Sequence, residues 1–396
     1  MYTPLEIHSP LTMRRVAAAP RRLISNGVKW EHSFMSNPFR SLRQQIFPSY
    51  LGVDIGTTSI KMVEVKQGKQ LPQITNYGFL ESSGHLVRAN KVLQTSSLKI
   101  FEKEVTELLG LIVSRMKPEG RVAVASLPSF TAFMTVLDLP DMKGGELEKA
   151  MQFQARQYVP LPISEMQIDW LNVGEYKDDK GFGHQKVLLI AVPDEQIRKY
   201  QAIFKAAGLQ LRVLEIESLS LARSAVGNDA TPTIIIDIGS RSTNIAFVDK
   251  GQLTFNAQSD FASASLTQAL SSALNINPIR AEELKRERGI TAVGPTAELS
   301  TIMLPFLDVI IGEVKKAQYN YRVQFPTAPA VARAVLSGGG ANLPGIEKYF
   351  QDQLKLPVSK AAPFFKFEYP SEVEPLVGEL NPLFSVALGL TLKEFQ

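Results

Sequence analysis

The sequence predicts an internally duplicated α/β fold: two lobes with a ligand between them, and a small inserted α+β subdomain of strand–helix–strand–strand order. The first observation behind this is a phrase that occurs twice. Residues 53–61 read V-D-I-G-T-T-S-I-K and residues 235–244 read I-I-D-I-G-S-R-S-T-N, so Asp54 and Asp237 stand 183 positions apart, about one domain. The second is that both copies open the same plan of strand, tight turn, strand and strand, followed by helices. The third is a strand that runs into G-G-G-A-N-L-P-G at 338–345. An ordinary strand–turn–strand hairpin would explain one copy of the phrase. Two copies with a glycine run favour a clamp around a metal-bound polyphosphate, because such turns present backbone N–H groups and hydroxyls to an anion while the Asp holds a metal ion.

The elements follow in order. Residues 1–48 lack sustained periodicity and carry several Pro and Ser, which predicts a disordered basic extension. Met35 opens M-S-N-P-F-R, a plausible second start, and residues 1–34 are expected to be dispensable. β-Branched and apolar runs predict strands over 51–55, 60–66 and 74–80. Apolar residues at helical spacing (Ile100, Val105, Leu108, Leu109, Ile112, Met116) predict a helix over 97–116. Residues 121–193 change character: strands over 122–127 and 132–137, a helix from Gly145 to the Pro160 stop, then strands over 167–176 and 186–192. They read as the inserted subdomain, with 49–120 and 194–230 forming the first lobe. A helix over 194–207, a strand over 211–215 and a helix from Glu217 return to that lobe. The second lobe, 231–396, repeats the plan with strands over 233–238, 244–250 and 252–259. Helices then cover 263–274, 278–288 and 296–324, a strand 335–337 and a helix 346–354.

Composition closes off several functions. With no Cys, and with four scattered His (His8, His32, His85, His184), neither a disulfide framework nor a zinc enzyme is implied. No apolar run approaches the roughly 18 residues of a membrane span. The pI near 9.0 is local in origin. Residues 1–50 hold seven Arg or Lys against two Glu, while the whole chain carries only +4, so the folded body is close to neutral. Nucleic acid is not the implied partner.

In the first loop Gly56 allows close backbone approach, and Thr57 and Thr58 offer hydroxyls. Lys61 reads either as a surface lysine or as a point charge for a phosphate. In the second loop Asp237 would act through Mg²⁺ or its water; Gly239, Ser242 and Thr243 stand beside it, and Arg241 reads as a solvated turn residue. Gly338, Gly339 and Gly340 would let a flat ring lie against the backbone. The helix A-E-E-L-K-R-E-R at 281–288 reads as a solvated face with i,i+4 pairs such as Glu282–Arg286, or else Glu282, Lys285 and Arg286 contact a nucleoside. Glu217 either favours its helix N-terminus or orients an attacking water. G-x-x-x-x-G-K-[ST] is absent, as is the strand–helix context of G-x-G-x-x-G.

Together these motifs resemble the actin-like ATPase superfamily, and within it the PilM family of type IV pilus assembly. The resemblance runs from about Tyr50 to Phe395. It includes S-L-P at 126–128, L-D-L-P at 137–140, E-L-E-K-A-M-Q-F-Q-A-R-Q-Y-V-P-L-P at 146–162, I-D-W at 168–170 and P-L-F-S-V-A-L-G-L at 382–390. It implies the duplicated actin-like, ribonuclease H-like two-lobed fold, with 121–193 as the subdomain shared with the division protein FtsA. It also implies ATP and Mg²⁺ between the lobes, with Asp54, Glu217 and Asp237 as the catalytic acids. Asp54 and Asp237 would hold the metal through water. Phosphates would lie on Gly56, Thr57, Thr58, Gly239, Ser242 and Thr243, and the nucleoside on Lys285, Arg286 and Gly338 to Gly340. The implied role is a cytoplasmic scaffold on the inner-membrane assembly platform. Its partner would be the N-terminal peptide of a PilN-like membrane protein, with contacts to other platform proteins, peripheral membrane association through partners, and room for self-association. An extended peptide of about ten residues would dock in an apolar groove beside 121–193, with Met151 and Tyr158 as wall or core residues. Two alternatives share the superfamily. An FtsA-like filament protein usually ends in an amphipathic membrane helix, whereas this sequence stops at L-T-L-K-E-F-Q. A sugar kinase also opens with D-x-G-T-T-S, but no segment identifies its carboxylate base.

Overall fold

The computed structural model describes residues 49–81, 102–142, 145–291 and 297–395. The extension 1–48, with its second start, and the expected first turn of the helix at 97–101 lie outside the described residues.

Strands β1 (Ser49–Ile55), β2 (Ser59–Lys66) and β3 (Gln73–Glu81) form an antiparallel meander. Helix α1 (Glu102–Met116) leads to β4 (Val122–Leu127), which pairs parallel with β1. All residues of β1 and β4 are buried, as expected of strands covered on both faces. The chain then leaves this sheet for β5 (Phe133–Pro140), α2 (Gly145–Tyr158), β6 (Met166–Lys177) and β7 (Gly183–Pro193), and returns through α3 (Asp194–Ala206) to β8 (Gln210–Ile216). Acidic residues open α3, and Ile197, Tyr200, Ile203 and Phe204 recur at helical spacing to bury one face. The first sheet has the order β3-β2-β1-β4-β8.

Helix α4 (Glu217–Leu221), continued by a π-turn at Ala222–Val226, crosses to the second lobe. There β9 (Thr233–Ile238), β10 (Thr243–Asp249) and β11 (Gln252–Ser259) form a second meander. Helices α5 (Ser263–Leu274), α6 (Pro278–Arg288) and α7 (Ala297–Gln324) precede β12 (Arg333–Ser337), α8 (Ile346–Leu354) and β13 (Val358–Lys360). The order β11-β10-β9-β12-β13, with the same antiparallel and parallel pairings, repeats the first sheet. The repeated phrase is thus the visible trace of a repeated topology.

Two expected boundaries change. The run at 122–127 belongs to the first lobe and not to the inserted subdomain, because its backbone is paired on both sides by β1 and β8. The subdomain sheet is β5-β7-β6, with α2 against one face. Strand alternation divides β7: Val187, Leu189 and Ala191 pack with Met151 and Ala155 of α2, while Leu188, Ile190 and Val192 join the main core. Met151 is fully buried there, so it is core and no groove wall; Tyr158 is exposed. The second lobe also ends earlier than expected. After α9 (Val377–Leu383), helix α10 (Ser385–Leu392) packs on β1 and β4 of the first lobe. Phe364, Phe384, Leu388 and Leu392 form one cluster with Val63, Val65 and Ile74 of β2 and β3. Every residue of α10 is buried, and a Cβ on Gly389 would fall 2.1 Å from the Ser220 carbonyl oxygen, so only glycine permits this approach to α4.

Candidate functional site

The two repeated loops face one cleft of about 550 Å³, within the size range of small-molecule sites. Each follows the central strand of its sheet, and each closes with the same backbone bond. Gly56 N–H donates to the Ser59 carbonyl (2.9 Å), and Gly239 N–H to the Ser242 carbonyl (3.0 Å). Asp54, Gly56, Thr57, Thr58 and Lys61 line the cleft from the first lobe, and Asp237, Gly239 and Ser242 from the second. Thr243 does not. It follows strand alternation, so Ser242 and Asn244 reach the cleft while Thr243 is buried with its hydroxyl on the Phe261 carbonyl (2.7 Å). The expectation that Thr243 holds a phosphate is corrected accordingly.

Lys61 is no surface lysine. Its side chain is 13% exposed and its Nζ lies 3.0 Å from Asp54 Oδ2. Ser126 Oγ, at the end of β4, donates to Asp54 Oδ1 (2.9 Å). Burial works against the Lys61 charge, but Asp54, with Asp237 and Glu217 beyond it, outweighs this and raises its pKa. Asp237 and Glu217 have no ion-pair partner among the described residues. Burial, with Asp54 nearby, pushes Asp237 up to about 6 despite the Ser337 hydroxyl. Burial and the Asp237 charge push Glu217 up to about 8, although it accepts the Ser129 N–H (3.0 Å). With Glu217 raised to about 8, Asp54 and Asp237 are the carboxylates that face the Lys61 ammonium at neutral pH; among the described residues no three carboxylates are grouped to ligate one ion, and the pair fits a Mg²⁺ that keeps most of its waters.

On the far side, Glu282, Lys285, Arg286 and Gly338 to Gly340 line the same cleft. Gly338 has φ +80°, and a Cβ there would meet the Ile238 carbonyl oxygen at 2.5 Å. The turn is thereby reserved for glycine. Lys285 is buried and fully engaged, with Ser263 Oγ at 2.7 Å, Thr267 Oγ1 at 2.9 Å and Glu282 Oε2 at 2.6 Å. Burial raises the Glu282 carboxyl, but Lys285, Thr267 and Arg286 outweigh it and hold Glu282 at about 2. The expected Glu282–Arg286 pair forms (2.8 Å), and Arg286 also bridges the lobes to Glu81 Oε1 (2.8 Å). Ser126, Glu81 and Asn244 are site residues that the sequence reading missed. Asn244 was within reach, since it follows Asp237 by the same interval as Lys61 follows Asp54.

Glu217 gives a test of this electrostatic picture. Its folded pKa lies above the unfolded value of 4.5, so its contribution is complete below about pH 4.5 and is lost as pH rises through about 8. Glu217→Gln keeps an acceptor for Ser129. It should raise the melting temperature of nucleotide-free protein by on the order of 5 °C near pH 9, and by little near pH 4.5. A gain of the same size at both pH values would refute the assignment.

The family model described as type IV pilus assembly protein PilM matches residues 52–395. The chain belongs to the PilM family. A solved PilM-PilN type IV pilus biogenesis complex superposes with a TM-score of 0.72 at 20% identity, covering 88% of this chain and 98% of that one. MreB 5 of Spiroplasma citri bound to AMPPNP superposes at 0.50 with 15% identity, covering 88% and 96%. The cell division protein FtsA of Enterococcus hirae is 22% identical over 379 residues, 86% of this chain and 82% of FtsA. The fold is therefore the expected duplicated actin-like one, and this PilM-family chain is an actin-like protein of type IV pilus assembly.

Proposed function

We propose that this PilM-family protein binds Mg–ATP between its lobes and acts as a scaffold on the cytoplasmic face of the inner membrane, recruited by the N-terminal peptide of a PilN-like membrane protein. The observation that carries the nucleotide part is the pair of Asp–Ile–Gly loops facing each other across one cleft. Backbone N–H groups and hydroxyls of Gly56, Thr57, Thr58, Gly239 and Ser242 would hold phosphates, with Lys61 as the charged contact. Asp54 and Asp237 would hold Mg²⁺ through water, and the ion would neutralise phosphate charge when bound. Gly338 to Gly340 and the α6 residues Glu282, Lys285 and Arg286 would frame the nucleoside. The AMPPNP-bound relative of the same fold supports this reading. Glu217, which lines the cleft and accepts the Ser129 N–H, would orient the attacking water in a slow turnover.

The solved complex of a PilM with PilN supports the partner. Among the described residues no single helix is long and apolar enough to cross a membrane, and residues 51–396 are nearly neutral, so membrane attachment would come from the partner. An extended peptide would gain backbone hydrogen bonds along a sheet edge beside the inserted subdomain, where β5 and β6 are the edge strands. The test is membrane fractionation of cells with and without the partner gene. The protein should move from the membrane to the soluble fraction when the partner is deleted. Retention on the membrane without it, or absence from the membrane with it, would refute recruitment.

A further inference from the structure

The chain crosses to the second lobe at α4, directly after β8. In the first sheet β8 forms one edge and β3 the other, four strand spacings apart, or roughly 19 Å. Separation of the lobes therefore moves atoms furthest at the β3 edge, and a single bond there has the greatest leverage. Glu81 is the last residue of β3. Its Oε1 accepts from Arg286 Nη2 of α6 (2.8 Å), and both residues line the cleft from opposite lobes. A surface ion pair usually contributes little, because two long side chains must be ordered to make it. Here one of them is ordered already. Arg286 Nε donates to Glu282 Oε1 (2.8 Å), and Glu282 is itself fixed by Thr267 and by Lys285 (2.6 Å). Lys285 Nζ donates in turn to Ser263 Oγ (2.7 Å). Ser263 and Ala264, which open α5, give their N–H groups to the Gly239 and Ser240 carbonyls of the second Asp–Ile–Gly loop (3.1 and 2.8 Å). The Arg286 guanidinium is thus pre-oriented, with its fork divided between a carboxylate of each lobe. A continuous chain of bonds runs from the rim of the first lobe to the loop of the second.

We propose that Glu81 and Arg286 form a latch across the cleft, on the side away from α4, that holds the lobes together and sets how fast nucleotide leaves. Glu81 is a positioning residue in this arrangement. It acts through Arg286 and needs no contact with the ligand. The release rate rests on the nucleotide reading above, whereas the closure of the lobes does not.

The variants are made at Glu81, because Arg286 also stands in the proposed nucleoside site. The first measurement is the distance between the lobes in the nucleotide-free full chain. The sequence has no Cys, so Lys103→Cys on α1 and Glu287→Cys on α6, both exposed positions, take spin labels for pulsed electron paramagnetic resonance. Glu81→Arg sets a second guanidinium against Arg286 and should shift the distance distribution to longer values. Glu81→Gln should do so to a smaller extent, and added salt should shift wild type in the same direction. The second measurement is release of a fluorescent ADP analogue by stopped flow. Glu81→Gln should release it about two- to fivefold faster than wild type, the size of one networked ion pair. It should also lose the acceleration by salt that wild type shows. Wild-type distances in both Glu81 variants overturn the proposal. Faster release with unchanged distances overturns it too, since Glu81 would then be a ligand contact. A wild type that binds no analogue overturns the nucleotide reading, and the distances then decide the latch alone.

Discussion

Replacing Asp237 with Asn should weaken Mg²⁺-dependent ATP binding by about 100-fold or more while leaving the nucleotide-free protein as stable as before, or more so. The two halves of this expectation have one cause. Asp237 is buried close to Asp54 and Glu217, and its pKa is pushed up to about 6, so its charge opposes folding until a cation compensates it. Neutralising it removes that repulsion in the nucleotide-free state and removes a cation-holding carboxylate from the bound state. The sign follows from linkage: its folded pKa lies above the unfolded 3.8, so stability is lost as pH rises through about 6. The gain in melting temperature from Asp237→Asn should therefore be present near pH 8 and absent near pH 4. Asp54 is the contrasting control. Lys61 and Ser126 hold its two oxygens, so Asp54→Asn leaves a buried ammonium without its charge partner and should lower stability along with binding. Calorimetry and thermal melts of both variants separate these cases. Unchanged ATP affinity in Asp237→Asn would remove Asp237 from the site.

The local features of this fold were legible because each rests on a few adjacent residues. A β-branched run, an Asp and a Gly make a buried strand and its turn wherever they occur, and the repetition of that phrase foretold two sheets of one topology. Pairing is a different matter. The run at 122–127 is buried on both faces, and nothing in such a run says whether its neighbours are β1 and β8 or the strands of the inserted subdomain. The return of α10 to the first lobe is a contact between residues more than 150 positions apart, fixed by Gly389, Phe384 and Leu388 meeting surfaces that local pattern does not name. Within the site, the neighbouring hydroxyls of Ser242 and Thr243 read alike as phosphate contacts. Strand alternation instead sends Ser242 and Asn244 into the cleft and Thr243 away from it. Lys285 shows the reverse problem. Its helix has the composition of a solvated face, yet the Nζ is buried on Ser263, Thr267 and Glu282.

Arg223→Ala should cost about 3–5 kcal/mol of stability, because it strands a buried carboxylate. Glu215, at the end of β8, is 4% exposed, and both its oxygens are taken by the Arg223 guanidinium, Nη2 on Oε1 and Nη1 on Oε2 at 3.1 Å. Nη1 also donates to the Gly389 carbonyl of α10 (2.7 Å), and Lys366 Nζ donates to the Arg223 carbonyl (2.8 Å). The Arg223 side chain thus ties β8, the turn after α4 and the returning helix α10 together, and its partner Glu215 stands two residues before Glu217 of the cleft. Burial raises the Glu215 carboxyl, but Arg223 and then Lys393 outweigh it and hold Glu215 below its ordinary value. In wild type this contribution is present above the unfolded pKa of 4.5 and lost as pH falls through the folded value. In Arg223→Ala the stranded carboxyl is driven upward instead, so the deficit should be large at pH 7 and shrink toward pH 4.5 as the group protonates. The double variant Arg223→Met with Glu215→Leu removes both charges and fills the space, and it should recover most of the loss, since apolar replacements of buried pairs are often neutral. Urea unfolding of the three proteins at both pH values is the measurement. A loss below about 1 kcal/mol in the single variant, or no recovery in the double, would show that the clamp rests on packing around Gly389 and not on this ion pair.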